Sequence, residues 1–193
     1  MTQIESKKFL ITGLGNVGDE YVNTRHNIGF VLMDAMAQKL KVTFSQGRLG
    51  QTARARYKGK TLLLLKPSTF VNLSGKAVKY WLTAEDIPRE NTLIVVDDLD
   101  LPVGTLRMKS KGGDGGHNGL IDIITSLNSQ EFARLRIGIG SDFARGLQVD
   151  YVLGKWTREE EKILLERIPI AVDAILSFVL EGVNTAMNKF NNK

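Results

Sequence analysis

Phe9-Leu10-Ile11-Thr12 runs directly into Gly13-Leu14-Gly15-Asn16-Val17-Gly18. The first four residues carry no charge and read as a short buried strand. The glycines behind them let the chain turn tightly or bring backbone close to a ligand. Ile28, Val31, Leu32, Ala35, Met36 and Leu40 then recur at helical spacing. Strand, glycine turn and helix in this order open an α/β fold.

The same alternation continues along the chain. Residues 52–57 and 61–65 predict a hairpin turned at Lys58-Gly59-Lys60. Residues 62–65 are apolar on both faces, as in a strand covered on both sides. Pro67 breaks that run, and residues 74–82 read as a helix with Ser74 as its N-cap and Ala77, Val78 and Trp81 toward the core. Residues 93–96 are another all-apolar strand, ending in Asp97-Asp98-Leu99-Asp100, and residues 119–127 read as a helix. Leu135, Ile137 and Ile139 alternate with Arg134, Arg136 and Gly138, which predicts one buried face and one solvent face. Thr157 and Glu160 have capping-box spacing at the start of the C-terminal helices, one of which Pro169 should start, bend or end.

These readings give a single α/β domain over residues 1–193: one mixed, largely parallel twisted sheet with helices on both faces. In such sheets ligands bind beyond the carboxyl ends of the strands. Asn16, Asn72 and Asp97 each follow a predicted strand, and His26 lies in a loop leaving the same edge. If those strands are parallel neighbours, all four converge.

Composition narrows the chemistry. The 193 residues include no cysteine, which excludes a thiol nucleophile, a thiolate zinc site and disulfides, and fits a reducing, cytoplasmic setting. No apolar run approaches the ~20 residues that span a bilayer, and residues 1–8 lack the apolar segment of a secretory signal. The net charge is +5, but it is segregated: residues 35–84 hold ten cations and no acid, so the remainder is net negative. Further basic groups stand at Arg107, Lys109 and Lys111, and at Arg134 and Arg136. This pattern suits a polyanion such as nucleic acid, or a merely solvated basic hairpin.

Gly13-x-Gly15-x-x-Gly18 satisfies the dinucleotide-binding glycine pattern, yet residues 19–25 are polar and aperiodic where that motif needs a helix. The ribose-binding acid would have to be Asp34, inside the predicted helix. A metal site could in principle draw on His26, His117, Asp97, Asp98 and Asp100, but no dense ligand spacing is present. No Gly-x-Ser-x-Gly elbow offers a serine nucleophile. What remains is histidine acting as general base on water, supported by a carboxylate. Only two histidines exist, His26 and His117, and each is followed by asparagine. Amide side chains such as Asn16, Asn72 and Asn118 can pair with a peptide backbone, although most asparagines serve turns and caps.

The block from Gly13 through Tyr21, Thr24-Arg25-His26-Asn27 and Gly29 closely resembles the opening signature of bacterial peptidyl-tRNA hydrolases. The resemblance continues through Lys66-Pro67-Ser68-Thr69-Phe70-Val71-Asn72-Leu73-Ser74-Gly75, Asp97–Pro102, Gly115–Leu120 and Arg134–Gly140. It implies hydrolysis of the ester joining a peptide to the 3′ end of tRNA, by a monomer without metal or organic cofactor. It further implies that His26 is the catalytic base, held by Asp97, and that Asn16 helps separate blocked from free aminoacyl-tRNA. Tyr21, Phe70, Asn72 and Asn118 match positions contacting the peptide and the tRNA 3′ end. Lys109 and Arg136 match positions gripping tRNA phosphate, and residues 141–154 match a mobile loop beside the cleft. Val17 replaces a usual proline, Val71 a frequent methionine, and Asp114 puts an acid in the glycine-rich segment. The other reading is a noncatalytic RNA-binding relative of the same fold. On the hydrolase reading Asp97 is the partner of His26, His117 has no such partner, and Asn118 is the member of the second His-Asn pair that contacts substrate.

Overall fold

The computed structural model describes residues 7–191; residues 1–6, most of the polar N-terminal stretch, and 192–193 lie outside the described residues. The chain forms β1 (Lys8–Gly13), α1 (Ile28–Leu40), β2 (Ser45–Gly47), β3 (Gly50–Tyr57), β4 (Lys60–Pro67) and α2 (Ser74–Glu85). There follow β5 (Thr92–Asp98), β6 (Leu106–Lys109), α3 (Asn118–Leu127), β7 (Ala133–Gly138), α4 (Gln148–Val152), α5 (Arg158–Glu181) and α6 (Val183–Phe190). The sheet order is β2-β3-β4-β1-β5-β7-β6. Its centre, β4-β1-β5-β7, is parallel throughout, while β2, β3 and β6 pair antiparallel at the edges. The mixed sheet expected from the sequence is therefore present, with its parallel part in the middle.

Residue alternation along the strands divides the core. Ile11, Val95 and Leu135 pack with α1, α5 and α6 on one face; Leu10, Ile94 and Val96 pack with α2 and α3 on the other. The hairpin turns through Lys58-Gly59, because Tyr57 pairs with Lys60. Both turn residues have positive φ, 45° and 81°, the handedness that matches strand twist.

Two glycines set how α1 leaves the sheet. A Cβ on Gly29 would lie 2.5 Å from Leu14 N and 2.8 Å from Val95 O, and one on Gly13 would overlap the Gly29 carbonyl. Only bare backbone lets the N-terminus of α1 descend onto the ends of β1 and β5. His26, in the 3-10 turn immediately before α1, is carried to the sheet edge by that approach.

Two sequence expectations change. The face of β7 carrying Arg134 and Arg136 is not solvated: all six residues of the strand are buried. The loop at 112–116 folds over it, and Arg134 donates to the carbonyls of Gly112, Gly113, Gln130 and Phe132 while stacking 4.2 Å from the Phe132 ring centroid. Burial and the neighbouring Arg136 push its guanidinium down to about 10, against the pull of Asp114. Arg134 is thus a structural anchor for the glycine loop and no part of a polyanion surface. Ser74 does not cap α2; its hydroxyl donates to Val71 O from the first helical position. Of the three places open to Pro169, the start, a bend or the end of a helix, the structure puts it inside α5, whose start carries the Thr157–Glu160 capping box. The acid-free stretch is also partly neutralised, since Asp34 and Glu85, the residues immediately before and after it in sequence, bind Lys66 and Arg54 at 2.6 Å each.

Candidate active site

The carboxyl edges of β1, β4 and β5 open into a cleft of about 600 Å³ lined by Asn16, His26, Asn72, Asp97, His117 and Asn118. The predicted convergence follows from topology, because β1 lies between β4 and β5 and runs parallel to both. Phe70, 58% exposed, and Arg136 also line the cleft. Tyr21, in the 3-10 turn Asp19–Tyr21, and Lys109, on edge strand β6, are not among its lining residues. Lys109 is exposed on the outer edge; Arg136 is mostly buried, 3.5 Å from Asp98 Oδ2 and donating to Gly113 O.

Asp97 is buried and accepts from both histidines. His26 Nδ1 is 2.9 and 3.0 Å from the two carboxylate oxygens, and His117 Nε2 is 2.9 Å from Oδ1. The expectation that Asp97 serves His26 alone is therefore corrected. Hydrogen bonds also fix the tautomer of His117. Its Nδ1 accepts from the backbone N–H groups of Gly119 and Leu120, capping α3, so the ring proton sits on Nε2 and points at Asp97. With Nδ1 of His26 likewise donating to Asp97, its Nε2 is the nitrogen left to accept a proton.

Electrostatics follow from this geometry. Burial alone would depress the His26 imidazolium, but the hydrogen bond to Asp97 and its negative charge outweigh it and raise the pKa above 6.5. Burial favours the acid form of Asp97, yet charge and hydrogen bonds from His117 and His26 hold it well below the usual carboxylate range. Asp97 is an anion at neutral pH, and His26 is a somewhat strengthened base.

Ligand atoms of His26, Asp97 and His117 all fall within 4.8 Å of one another, a spacing a metal could span. The chemistry of the donor set does not fit. A metal-bound histidine normally donates its second ring N–H to an acceptor. Here Nδ1 of His117 faces two N–H donors, so metallating Nε2 would require an imidazolate or loss of the α3 cap.

Asn16 is oriented with equal economy. Its backbone exchanges bonds with the Asn27 side chain (2.8 and 2.9 Å), and its own Oδ1 accepts from Val71 N at 2.9 Å. With its oxygen occupied, Asn16 presents its NH₂ to the cleft as a donor. Asn27, Val71 and His117 thus hold the site, and none is legible as such from local sequence. Another wall is formed by α4 and the residue after it, through Gln148, Val149, Val152 and Leu153, in a stretch with no helical periodicity to announce it.

The peptidyl-tRNA hydrolase family model matches residues 10–193. A peptidyl-tRNA hydrolase of Phocaeicola vulgatus is 58% identical over 186 residues, covering 96% of this chain and 100% of that protein. One from Porphyromonas gingivalis is 53% identical over 184 residues, covering 95% and 100%. Among solved structures, the peptidyl-tRNA hydrolase of Acinetobacter baumannii is similar at a TM-score of 0.90 and 38% identity, covering 96% of this chain and 95% of that one. Matched along nearly all of its length, and carrying the buried carboxylate–imidazole pair at the strand ends, the chain belongs to the peptidyl-tRNA hydrolase family.

Proposed function

We propose that this protein hydrolyses the ester between a peptide and the 3′ end of tRNA, with His26 as general base. The observation that carries this is the His26–Asp97 pair in the cleft, with Nδ1 committed to the carboxylate and Nε2 free to take a proton. Nε2 of His26 removes a proton from water as the oxygen attacks the ester carbonyl, and the imidazolium, stabilised by Asp97, returns that proton to the departing ribose oxygen. The products are free tRNA and a peptide carboxylate. The NH₂ of Asn16 is oriented to donate to the carbonyl oxygen as charge develops on it. Asn72, Asn118 and Phe70 supply amide and apolar contacts for the peptide and the terminal nucleotide, and Tyr21 contributes a further substrate contact. Lys109 and Arg136 supply positive charge toward tRNA phosphate, Lys109 from an exposed position and Arg136 from the cleft wall. The mechanism uses no metal or organic cofactor.

A noncatalytic RNA-binding role is less economical. Burying an anion costs several kcal/mol unless it is fully paired, and RNA binding has no use for Asp97 with two imidazoles on it. Among the described residues no helix is long and apolar enough to cross a membrane. A monomer acting in the cytoplasm completes the proposal. The deciding experiment incubates an N-blocked aminoacyl-tRNA and its unblocked form with the enzyme and a chelator. Preferential release from the blocked form, chelator-insensitive and nearly abolished in His26→Ala with tRNA binding retained, is expected. Full turnover by His26→Ala refutes the mechanism.

A further inference from the structure

Arg25 precedes the proposed base in the chain but turns away from the cleft chemistry. Its side chain is largely buried, with Nη2 2.9 Å from Glu160 Oε2 at the start of α5 and Nη1 3.2 Å from Tyr151 O in α4. The guanidinium lies 4.2 Å from the Tyr151 ring centroid and 5.6 Å from that of Trp156. Its backbone N–H donates to Gly154 O, and Thr24 bridges Lys155 beside it. Every one of these partners belongs to α4, to the start of α5 or to the segment joining them.

That segment needs such a tie. α4 has only five residues and none is fully buried; Tyr151 and Val152 pack against the core only in part. Its other side-chain anchor is Tyr151, whose hydroxyl donates to Ile139 O at 2.7 Å. Yet Gln148, Val149, Val152 and Leu153 form one wall of the cleft. His26 is held separately, by Asp97 and by the Asn27–Asn16 exchange one residue on.

We propose that Arg25 is a positioning residue that sets the α4 wall against the His26 turn and so governs capture of the substrate in place of the chemical step. This rests on the proposed hydrolytic function. Lysine cannot replace it, since an ammonium cannot bond Tyr151 O and Glu160 while stacking flat on an aromatic ring. The backbone pairing at Gly154 and Lys155 stays in every variant, so the change falls on the placement of α4.

The test compares Arg25→Lys, Arg25→Met and Glu160→Gln with the wild type, using N-blocked aminoacyl-tRNA kinetics across pH and amide hydrogen exchange. Expected are a rise in KM of about tenfold in both Arg25 variants, kcat within threefold, an unmoved pH midpoint, and faster exchange confined to residues 141–156. Glu160→Gln should move the same quantities less, and it carries the test alone if the Arg25 variants fail to fold. A fall in kcat with a shifted pH limb, or unchanged exchange in 141–156, overturns the proposal. Absence of hydrolysis by the wild type refutes the function itself, whereas the exchange pattern still judges the tie.

Discussion

Replacing Asp97 by asparagine separates the role of the carboxylate charge from that of its shape. His117 Nε2 carries a proton because its Nδ1 accepts from Gly119 and Leu120, so it must donate toward residue 97. An asparagine there has to turn its oxygen to His117; that oxygen is the one shared with His26 Nδ1 at 2.9 Å, so the NH₂ takes the second position, 3.0 Å from the same Nδ1. The amide N–H then opposes the proton on Nδ1 and favours the tautomer protonated at Nε2, while the shared oxygen, now uncharged, holds the productive tautomer less firmly. Both influences that raise the His26 pKa vanish with the charge, leaving only burial, which lowers it. Losing a correctly held base costs roughly 10²–10⁴ in rate, and wrong-tautomer variants of hydrolases fall near the top of that range. The expected result is kcat/KM reduced about 10³–10⁴-fold, with the midpoint of the rising pH limb moved from above 6.5 to below it. The assay is release of an N-blocked amino acid from tRNA between about pH 5 and 8, with uncatalysed hydrolysis subtracted. More than a tenth of wild-type activity with an unmoved limb would show that the carboxylate neither orients nor strengthens His26.

The same substitution has a stability signature. His26 contributes while protonated, fully below its unfolded pKa of 6.5 and fading as pH rises through the raised folded value; Asp97 contributes above its unfolded 3.8 and fades as pH falls. Wild type should therefore exceed Asp97→Asn most between roughly pH 4 and 6.5, and a flat difference in Tm across pH contradicts this. Gly29→Ala should destabilise by about 1–3 kcal/mol in urea titration, because the new methyl meets Leu14 and Val95 backbone that cannot yield. Asn16→Asp keeps the acceptor for Val71 N but removes the donor, so kcat should drop about 10²–10³-fold with little change in melting. Lys109→Ala should lower the salt slope of tRNA binding by about one without loss of stability. Arg136→Ala should also lower Tm, since it breaks contacts to Asp98 and Gly113 O.

Legibility in the sequence tracks how local the cause is. Residues 62–65 and 93–96 read as strands because both faces of each are covered, leaving no polar position to blur the pattern. β2 and β6 are three and four residues of mixed character whose extended form comes from pairing with a neighbour. Alternation along β7 is real, but the loop at 112–116 buries the face that alternation assigns to solvent, and the carbonyls of Gly112 and Gly113, far from Arg134 in sequence, make that possible. Asn16, Asn72, Asp97 and His26 were findable because parallel neighbours bring their strand ends together. The second partner of Asp97 was not, since it depends on α3 presenting its N-terminus to the same carboxylate.

The glycines after β1 show why a motif has to be read through its surroundings. In a dinucleotide fold such a pattern lets a pyrophosphate approach the start of a helix. Here Gly18 leads into a 3-10 turn, and the close approach at Gly13 is made to Gly29 of the protein's own α1. What the bare backbone admits is the first turn of a helix, delivered against Leu14 and Val95. That contact fixes where the chain enters α1, and the entry fixes His26 opposite Asp97 at the end of β5. The site's precision thus begins in two missing methyl groups, so a glycine that touches no substrate bears on the orientation of the base.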